Sequence, residues 1–577
     1  MRLTLRAAAG AAVISAALLP GGAVHAQTQQ QIDACEGKGN LPLDAAIGGC
    51  TALIQSGSYR GRDLSTVFVI RAIAYQRKGE LARAIQDYDQ AIGLDPGNAT
   101  AWYNRGVAYG SKEEWDRAIQ DYDQAVRLGP NDPAALRSRG LAYQEKKQLE
   151  RAIEDFDRAI KLDPKDATAF AYRGGAHLEA GALDRAISDY DQALRLGPGS
   201  AASFYQRGLA YSKKEQWSRA IEDYDAAIKL DPKLAAAFYG RGFAFQKQDQ
   251  VDRAIQDFDQ AILLDPGNGS AFALRGSAWQ RKGALDRAIE DFDRTLKIDA
   301  HDATTLYNRG VAHSSNKQWD SAIQDFDQAI GLRPNDASAF AYRGAAWQRK
   351  GEIDRAIQDF DRALDLDASL AAAFAYRGAA YGTKADWDRA IQDYTRALEI
   401  EPRNVATLYN RGVAYSRKQQ WADALQDFDR VTRLDPGNAS AFHNRGFAYQ
   451  KRGQLDAALE DFEKAAQLDP NDAVAFAFRG AVHQRQGELD RAIEDYDRAL
   501  QIDPNDATTS YNRGTAYAAR SQWDQAVRDY NRAVELDPKF PAALYNRGIA
   551  REQTGDKAGA DADIAAARQI DPDIGKD

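Results

Sequence analysis

The pair Arg-Gly recurs every 34 residues, from Arg105-Gly106 and Arg139-Gly140 to Arg547-Gly548, with Arg71-Ala72 as the first member. Fifteen copies therefore run from Ser65 to Ile574 without an insertion or deletion. A fixed period of this length sets the architecture. Each copy is one small supersecondary unit, too short to bury its own apolar face, and it must stack on its neighbours. Several independent globular domains, which 577 residues would otherwise suggest, are thereby set aside.

Numbering each copy from 1, position 4 is aromatic or Leu (Trp102, Phe170, Leu306; Ser510 is the exception) and position 8 is Gly. Position 11 is usually Tyr or Trp, position 20 Ala, position 24 Tyr or Phe (Tyr122, Phe156), position 27 mostly Ala and position 32 mostly Pro. Positions 4, 8 and 11 share one face of a first helix, and positions 17, 20, 21, 24, 27 and 28 share one face of a second. Gly at 8 and Ala at 20 let the two helices approach, and the aromatics fill the space around them. Pro at position 32 occurs in thirteen of fifteen copies, Ala300 and Ala368 being the exceptions. It stops the second helix, because it lacks an N–H and clashes with the preceding turn. Asn, Asp or Ser at position 34 (Asn98, Asp132, Ser200) suits the start of the next helix.

This pattern closely resembles the tetratricopeptide repeat family over nearly the whole chain after its first segment. The resemblance implies an all-α fold, a right-handed α-solenoid superhelix of fifteen tandem helix-turn-helix repeats, at 65–98, 99–132 and onward in steps of 34 to 541–574, with a tail at 575–577. One departure is informative. Position 7, commonly Leu in the family, is Arg in all fifteen copies, and position 23 is Asp in all fifteen. The two are expected to pair across the helices of a copy, as Arg105 with Asp121, the alternative being that the Asp pairs with an Arg four residues earlier on its own helix, as Asp121 with Arg117.

The array needs ends that tolerate water. Leu43 to Ile54 mimics a second helix, with Cys50 in the place of the aromatic. At the other end Lys557 stands where other copies carry an apolar residue, and Ile564 replaces the aromatic. Before the repeats, Arg2 and Arg6 precede an apolar run, Ala7 to Leu19, and Val24-His25-Ala26 supplies small residues. As a helix that run rises about 20 Å, short of a hydrocarbon core of roughly 30 Å, so residues 1–26 read as a cleaved export signal, not a span. The expected location is periplasmic or secreted, with no membrane span after cleavage. The only two cysteines, Cys35 and Cys50, lie in a helical cap at 27–64 and are expected to form one disulfide in an oxidising compartment.

What the array binds is less constrained. Lys+Arg 75 against Asp+Glu 84 gives a formal charge of -9, which disfavours nucleic acid. The resemblance implies a concave wall lined by first-helix positions 2, 5, 6, 9, 12 and 13. Position 5–6 pairs of Tyr-Asn occur at Tyr103-Asn104, Tyr307-Asn308, Tyr409-Asn410, Tyr511-Asn512 and Tyr545-Asn546, with Asn444 also at position 6; Ala-Tyr occurs at 171–172, 341–342 and 375–376. A row of Asn amides can grip an extended backbone, with Tyr as rigid contact area; alternatively the Tyr-Asn pairs simply fill space between copies. Position 13 is basic in eight copies, including Lys213, Lys247, Arg281, Arg349 and Arg417. With frequent Lys at position 14, this makes either a positive stripe for acidic peptides or anionic glycans, or ordinary complementation of helix C-termini. The chaperone-type carboxylate clamp is not expected, since position 5 is never Lys and position 9 is mostly apolar or small.

An enzyme is the weaker reading. An unbroken period leaves no inserted loop to gather unlike catalytic groups. His177, His313 and His483 all occupy position 11, in copies too far apart to converge, and no metal-spaced set or cofactor motif is present. The expected function is a non-enzymatic scaffold for peptide segments or envelope proteins, with envelope polysaccharide handling as the alternative. No metal or cofactor is called for.

Overall fold

The computed structural model describes residues 26–38 and 41–576. The expected export signal lies outside these except for Ala26. The described residues form 32 α-helices and no strand. The chain divides into two units, Met1–Ile298 and Asp299–Asp577, each a succession of helix pairs.

In the first unit α1 (Ala26–Cys35) and α2 (Leu43–Gln55) form a cap, tied by the Cys35–Cys50 disulfide. Ile32 and Leu53 of the cap cluster with the two cysteines and with Val67 of the helix that follows. The first copy follows as α3 (Gly61–Arg77) and α4 (Leu81–Leu94), with α3 starting before Ser65. The second copy is α5 (Ala99–Ser111) and α6 (Trp115–Leu128). The same pairing continues through both units, as in Ala371–Thr383 with Trp387–Ile400 of the second. Within a unit each first helix packs on its own second helix, which packs on the next first helix.

Close approach at position 8 explains the glycine. A Cβ on Gly106 would stand 2.8 Å from the Tyr122 ring, and one on Gly140 2.7 Å from Phe156, distances real Cβ atoms do not show. The opposing rings are sealed, with Phe156 and Phe258 at 0% exposure. Asn98, Asp132 and Ser200 accept backbone N–H groups at helix starts, whereas Leu234, Leu370 and Phe540 at the same position provide no side-chain cap. The turn inside each copy puts position 15 at positive φ every time. Gly fills it in seven copies, and residues such as Lys147 and Ala385 (φ 59° and 57°) fill the rest.

Of the two arrangements open to the position 23 aspartate, the cross-helix one forms in all fifteen copies. Arg71 to Arg547 each hold both oxygens of the Asp sixteen residues on, as at Arg139–Asp155 and Arg411–Asp427. The neighbouring Arg117 instead reaches Glu114, 2.8 Å away.

Candidate groove on the first helices

Two cavities open along the first helices of the second unit. The larger, about 820 Å³, spans four successive copies. Its wall comes mainly from positions 2, 5, 6, 9, 12 and 13, with an alanine floor (Ala345, Ala375, Ala379), the tyrosines Tyr342 and Tyr376, and Arg349 and Asn410 at its margin. Tyr342 and Tyr376 are 37% and 38% exposed, high for tyrosines packed in a helical array. The smaller, about 670 Å³, is walled by Trp421, His443, Phe447 and Phe478, with Arg417, Asn444 and Lys451 around it.

The Tyr-Asn pairs have divided roles. Position 5 rings pack on the position 24 ring of their own copy: Tyr103 on Tyr122 at 6.0 Å between centroids, Tyr307 on Phe326 and Tyr409 on Phe428 at 5.9 Å, and Tyr511 on Tyr530 at 5.8 Å. They are half-buried, and burial raises the Tyr307 phenol above its usual pKa. Gly575 lies against the Tyr545 ring. Three of the Asn amides spend N–H groups inside the array. Asn444 Nδ2 donates to Tyr409 Oη at 3.0 Å, Asn546 Nδ2 to Tyr511 Oη at 2.9 Å, and Asn104, only 7% exposed, donates to the Thr100 carbonyl. Asn308 and Asn512 are half-buried, while Asn410 is exposed. Packing within a copy thus accounts for the four rings, and contacts inside the array for the donor half of Asn104, Asn444 and Asn546.

The cations separate by position. Most of those at position 14 are spent on the position 18 acid of the preceding copy: Lys146 on Asp116 at 3.0 Å, Lys384 on Asp354 at 2.7 Å, and likewise Lys214 on Asp184 and Lys418 on Asp388, whereas Lys112 pairs with Glu114 of its own copy. Position 13 behaves differently. Lys213, Lys247, Arg349, Arg417 and Lys451 are exposed and have no carboxylate partner among the described residues, whereas Arg281 pairs with Asp249. The expected stripe therefore rests mainly on position 13.

Of the sequence-derived site residues, Arg349 and Asn410 meet in the larger cavity, and Arg417 and Asn444 in the smaller. The other Tyr-Asn pairs lie outside both. Trp421, Phe447 and Phe478 were not among the expected residues. The sequence does carry a signal for them: position 9 is Phe only at Phe243 and Phe447, each following a copy that opens its second helix with Trp, Trp217 and Trp421. The position 11 histidines sit beside the ladder, with His177 Nε2 3.8 Å and His313 Nε2 3.7 Å from their position 23 carboxylates. No helix of the described residues is long and apolar enough to cross a membrane.

Family models described as tetratricopeptide repeat match residues 71–133, 107–173, 235–268, 303–336 and 413–480, and one described as TPR repeat matches 210–249, 386–419, 485–520 and 514–555. Together these reach over more than half of the chain. No curated protein matches the sequence. Among solved structures, YrrB, described as a TPR protein with an unusual peptide-binding site, is 26% identical over 32% of this chain and 96% of its own, with a TM-score of 0.30. MamA is 31% identical over 28% of this chain and 95% of its own, with a TM-score of 0.27. The Cut9-Hcn1 hetero-tetramer of the APC/C is 17% identical over 85% of this chain and 95% of its own, with a TM-score of 0.36.

Proposed function

The chain belongs to the tetratricopeptide repeat family, and from that premise we propose that it is a non-enzymatic scaffold holding extended segments of other proteins along its first helices. The observation that carries this reading is the cavity of about 820 Å³ whose wall is assembled from four consecutive copies. A strand of peptide several residues long fits a wall that repeats with the chain, and its side chains can meet a new copy at each step. The alanine floor admits the peptide backbone closely, and exposed Tyr342 and Tyr376 offer rigid amphipathic surface at small entropic cost.

The arrangement of the recurrent polar groups also supports a binding role. The recurrent Arg and Asp are spent on each other, and the position 11 histidines lie against that ladder in separate copies. The Cys35–Cys50 disulfide supports a location outside the cytoplasm, since such bonds persist in oxidising compartments. Titration of the isolated protein under denaturing conditions should find no free thiol; two would remove that support.

The scaffold reading is tested with a random dodecapeptide library and a photo-crosslinking residue placed at Ala375, which lines the cavity, or at exposed second-helix Gln358. Enriched peptides should crosslink from position 375 and not from 358. Failure to enrich any peptide, or crosslinking from 358 alone, would refute the reading.

A further inference from the structure

The wall of the smaller cavity recurs in the other unit. Arg417, Trp421, Phe447 and Lys451 have counterparts 204 residues earlier in Lys213, Trp217, Phe243 and Lys247. The geometry recurs as well. Trp421 meets Phe447 edge to face at 5.8 Å and 77°, and Trp217 meets Phe243 at 5.9 Å and 75°. Lys451 Nζ stands 5.2 Å from the Phe447 ring centre, and Lys247 Nζ 5.3 Å from that of Phe243. The following copy closes the wall at Phe447 with Phe478 at position 6, where the corresponding residue after Phe243 is the apolar Leu274.

Four features define what fits. All four cations lack a carboxylate partner among the described residues, although the chain carries a net charge of -9 and the adjacent Lys214 and Lys418 are paired. No residue lining the cavity at Phe447 is acidic. The aromatic rings meet edge to face, walling a hole instead of laying a flat platform for a sugar ring. Asn444, its Nδ2 committed to Tyr409 and Ser440, keeps Oδ1 to accept a backbone N–H.

Resting on the scaffold reading above, we infer that each unit carries one clamp, Lys213–Trp217–Phe243–Lys247 and Arg417–Trp421–Phe447–Lys451, for an acidic protein segment with a large apolar side chain between its carboxylates. The apolar side chain enters between Trp and Phe, and the flanking carboxylates meet the position 13 cations. Two of those cations, Lys247 and Lys451, are held beside ring faces, where partial removal of water strengthens their attraction for an anion.

The test is titration of the full chain with a fluorescein-labelled pentapeptide, Glu-Glu-Phe-Glu-Glu, by anisotropy and calorimetry. Two equivalents should bind. Arg417→Glu with Lys451→Glu should leave one, Lys213→Glu with Lys247→Glu should leave one, and the fourfold variant none; all four side chains are exposed, and unchanged circular dichroism checks the fold. Replacing the peptide's phenylalanine by serine, or its glutamates by glutamines, should each weaken binding by about tenfold or more. Undiminished binding by the fourfold variant, equal binding of the serine peptide, or binding of polygalacturonate in place of the peptide would overturn the inference. Enrichment at Ala375 of peptides without acidic residues, with no binding of the pentapeptide, would overturn the clamp and leave the scaffold reading standing.

Discussion

Arg105 holds both carboxylate oxygens of Asp121, through Nε at 2.8 Å and Nη2 at 2.7 Å, and so closes the two helices of one copy on each other. Its remaining nitrogen, Nη1, reaches Asp89 of the preceding copy at 2.6 Å. One side chain thus joins the interior of a copy to its neighbour. Where the partner residue is absent the chain substitutes another acceptor: Thr51 of the cap for Arg71, Thr395 for Arg411 and Asn531 for Arg547. Side-chain exposure is 16% for Arg105, 4% for Asp121 and 50% for Asp89. Burial raises the Asp121 carboxyl above its usual pKa even beside the guanidinium, so desolvation opposes much of what the two bonds contribute.

Breaking the inner pair should therefore cost far more than breaking the outer one. Arg105→Ala or Asp121→Ala is expected to destabilise the second copy by about 3–5 kcal/mol, and Asp89→Ala by about 0–1 kcal/mol. The double replacement Arg105→Met with Asp121→Leu should cost less than either single change, because no charge is left buried alone. Amide exchange of α5 and α6 reads these differences locally, which suits an array whose copies respond to their neighbours.

Two adjacent glycines of α2 should respond with opposite signs. Gly48 is exposed within the helix, and a Cβ there meets nothing within 4 Å. Gly48→Ala should stabilise the cap by about 0.5–1 kcal/mol, the helical advantage of Ala over Gly. At Gly49 the added carbon would lie 2.8 Å from both the Cys35 nitrogen and the Gln31 carbonyl oxygen, which are backbone atoms of α1 and cannot turn aside. Gly49→Ala should cost about 1–3 kcal/mol or more by forcing α1 and α2 apart. Thermal unfolding of the cap, followed by amide exchange of α1, distinguishes the two outcomes.

Features repeated through nearly all copies were legible from the period itself. Gly106 under Tyr122 and Arg105 beside Asp121 each recur many times, and a contact required by stacking leaves the same mark each time. The turn was harder to read, because Lys147, Ala385 and Gly79 all adopt positive φ at position 15 and share no side-chain chemistry. The groove was harder still. Arg417 and Lys418 are neighbours in sequence, yet Lys418 reaches back to Asp388 of the previous copy while Arg417 faces the cavity at Phe447. That separation depends on the register of one copy against the next, which a period alone does not convey. The same holds for Asn444, whose donor is consumed by Tyr409, 35 residues away.

The ring at position 24 sets a hydrogen-bond account that the chain balances in some copies and leaves open in others. Tyr88 Oη donates to Gln76 Oε1 at 2.9 Å and Tyr496 Oη to Gln484 Oε1 at 2.8 Å, each a position 24 phenol on a position 12 amide. In the copy of Phe258 the hydroxyl is missing, and Gln246 Oε1 at position 12 is buried without a partner. Phe258→Tyr should supply the missing donor and stabilise that copy by about 0.5–1.5 kcal/mol. In the background Gln246→Leu, with no acceptor, the same change should instead be neutral or destabilising. A urea denaturation series on the four proteins measures the coupling as a double-mutant cycle.

His443 gives the array a local sensitivity to acid. Its ring lies between Phe462 at 5.6 Å and Phe478 at 5.3 Å, and its Nδ1 is buried without a hydrogen-bond partner. Desolvation lowers its pKa from the usual value of 6.5, with Asp472 acting weakly in the opposite direction. The folded protein therefore resists the proton that the unfolded chain accepts from its ordinary pKa downward. Stability is whole above about pH 6.5 and declines as pH falls below it, until the folded ring itself protonates. His443→Tyr, which installs the residue most of the aromatic copies carry at this position, removes the titrating group and should remove this part of the decline. The expected result is a larger loss of amide protection between pH 7.5 and pH 5.5 for the native chain than for His443→Tyr, confined to helices Ala439–Lys451 and Leu455–Leu468 and their neighbours. Equal losses in the two proteins would show that the imidazole takes up its proton as readily folded as unfolded.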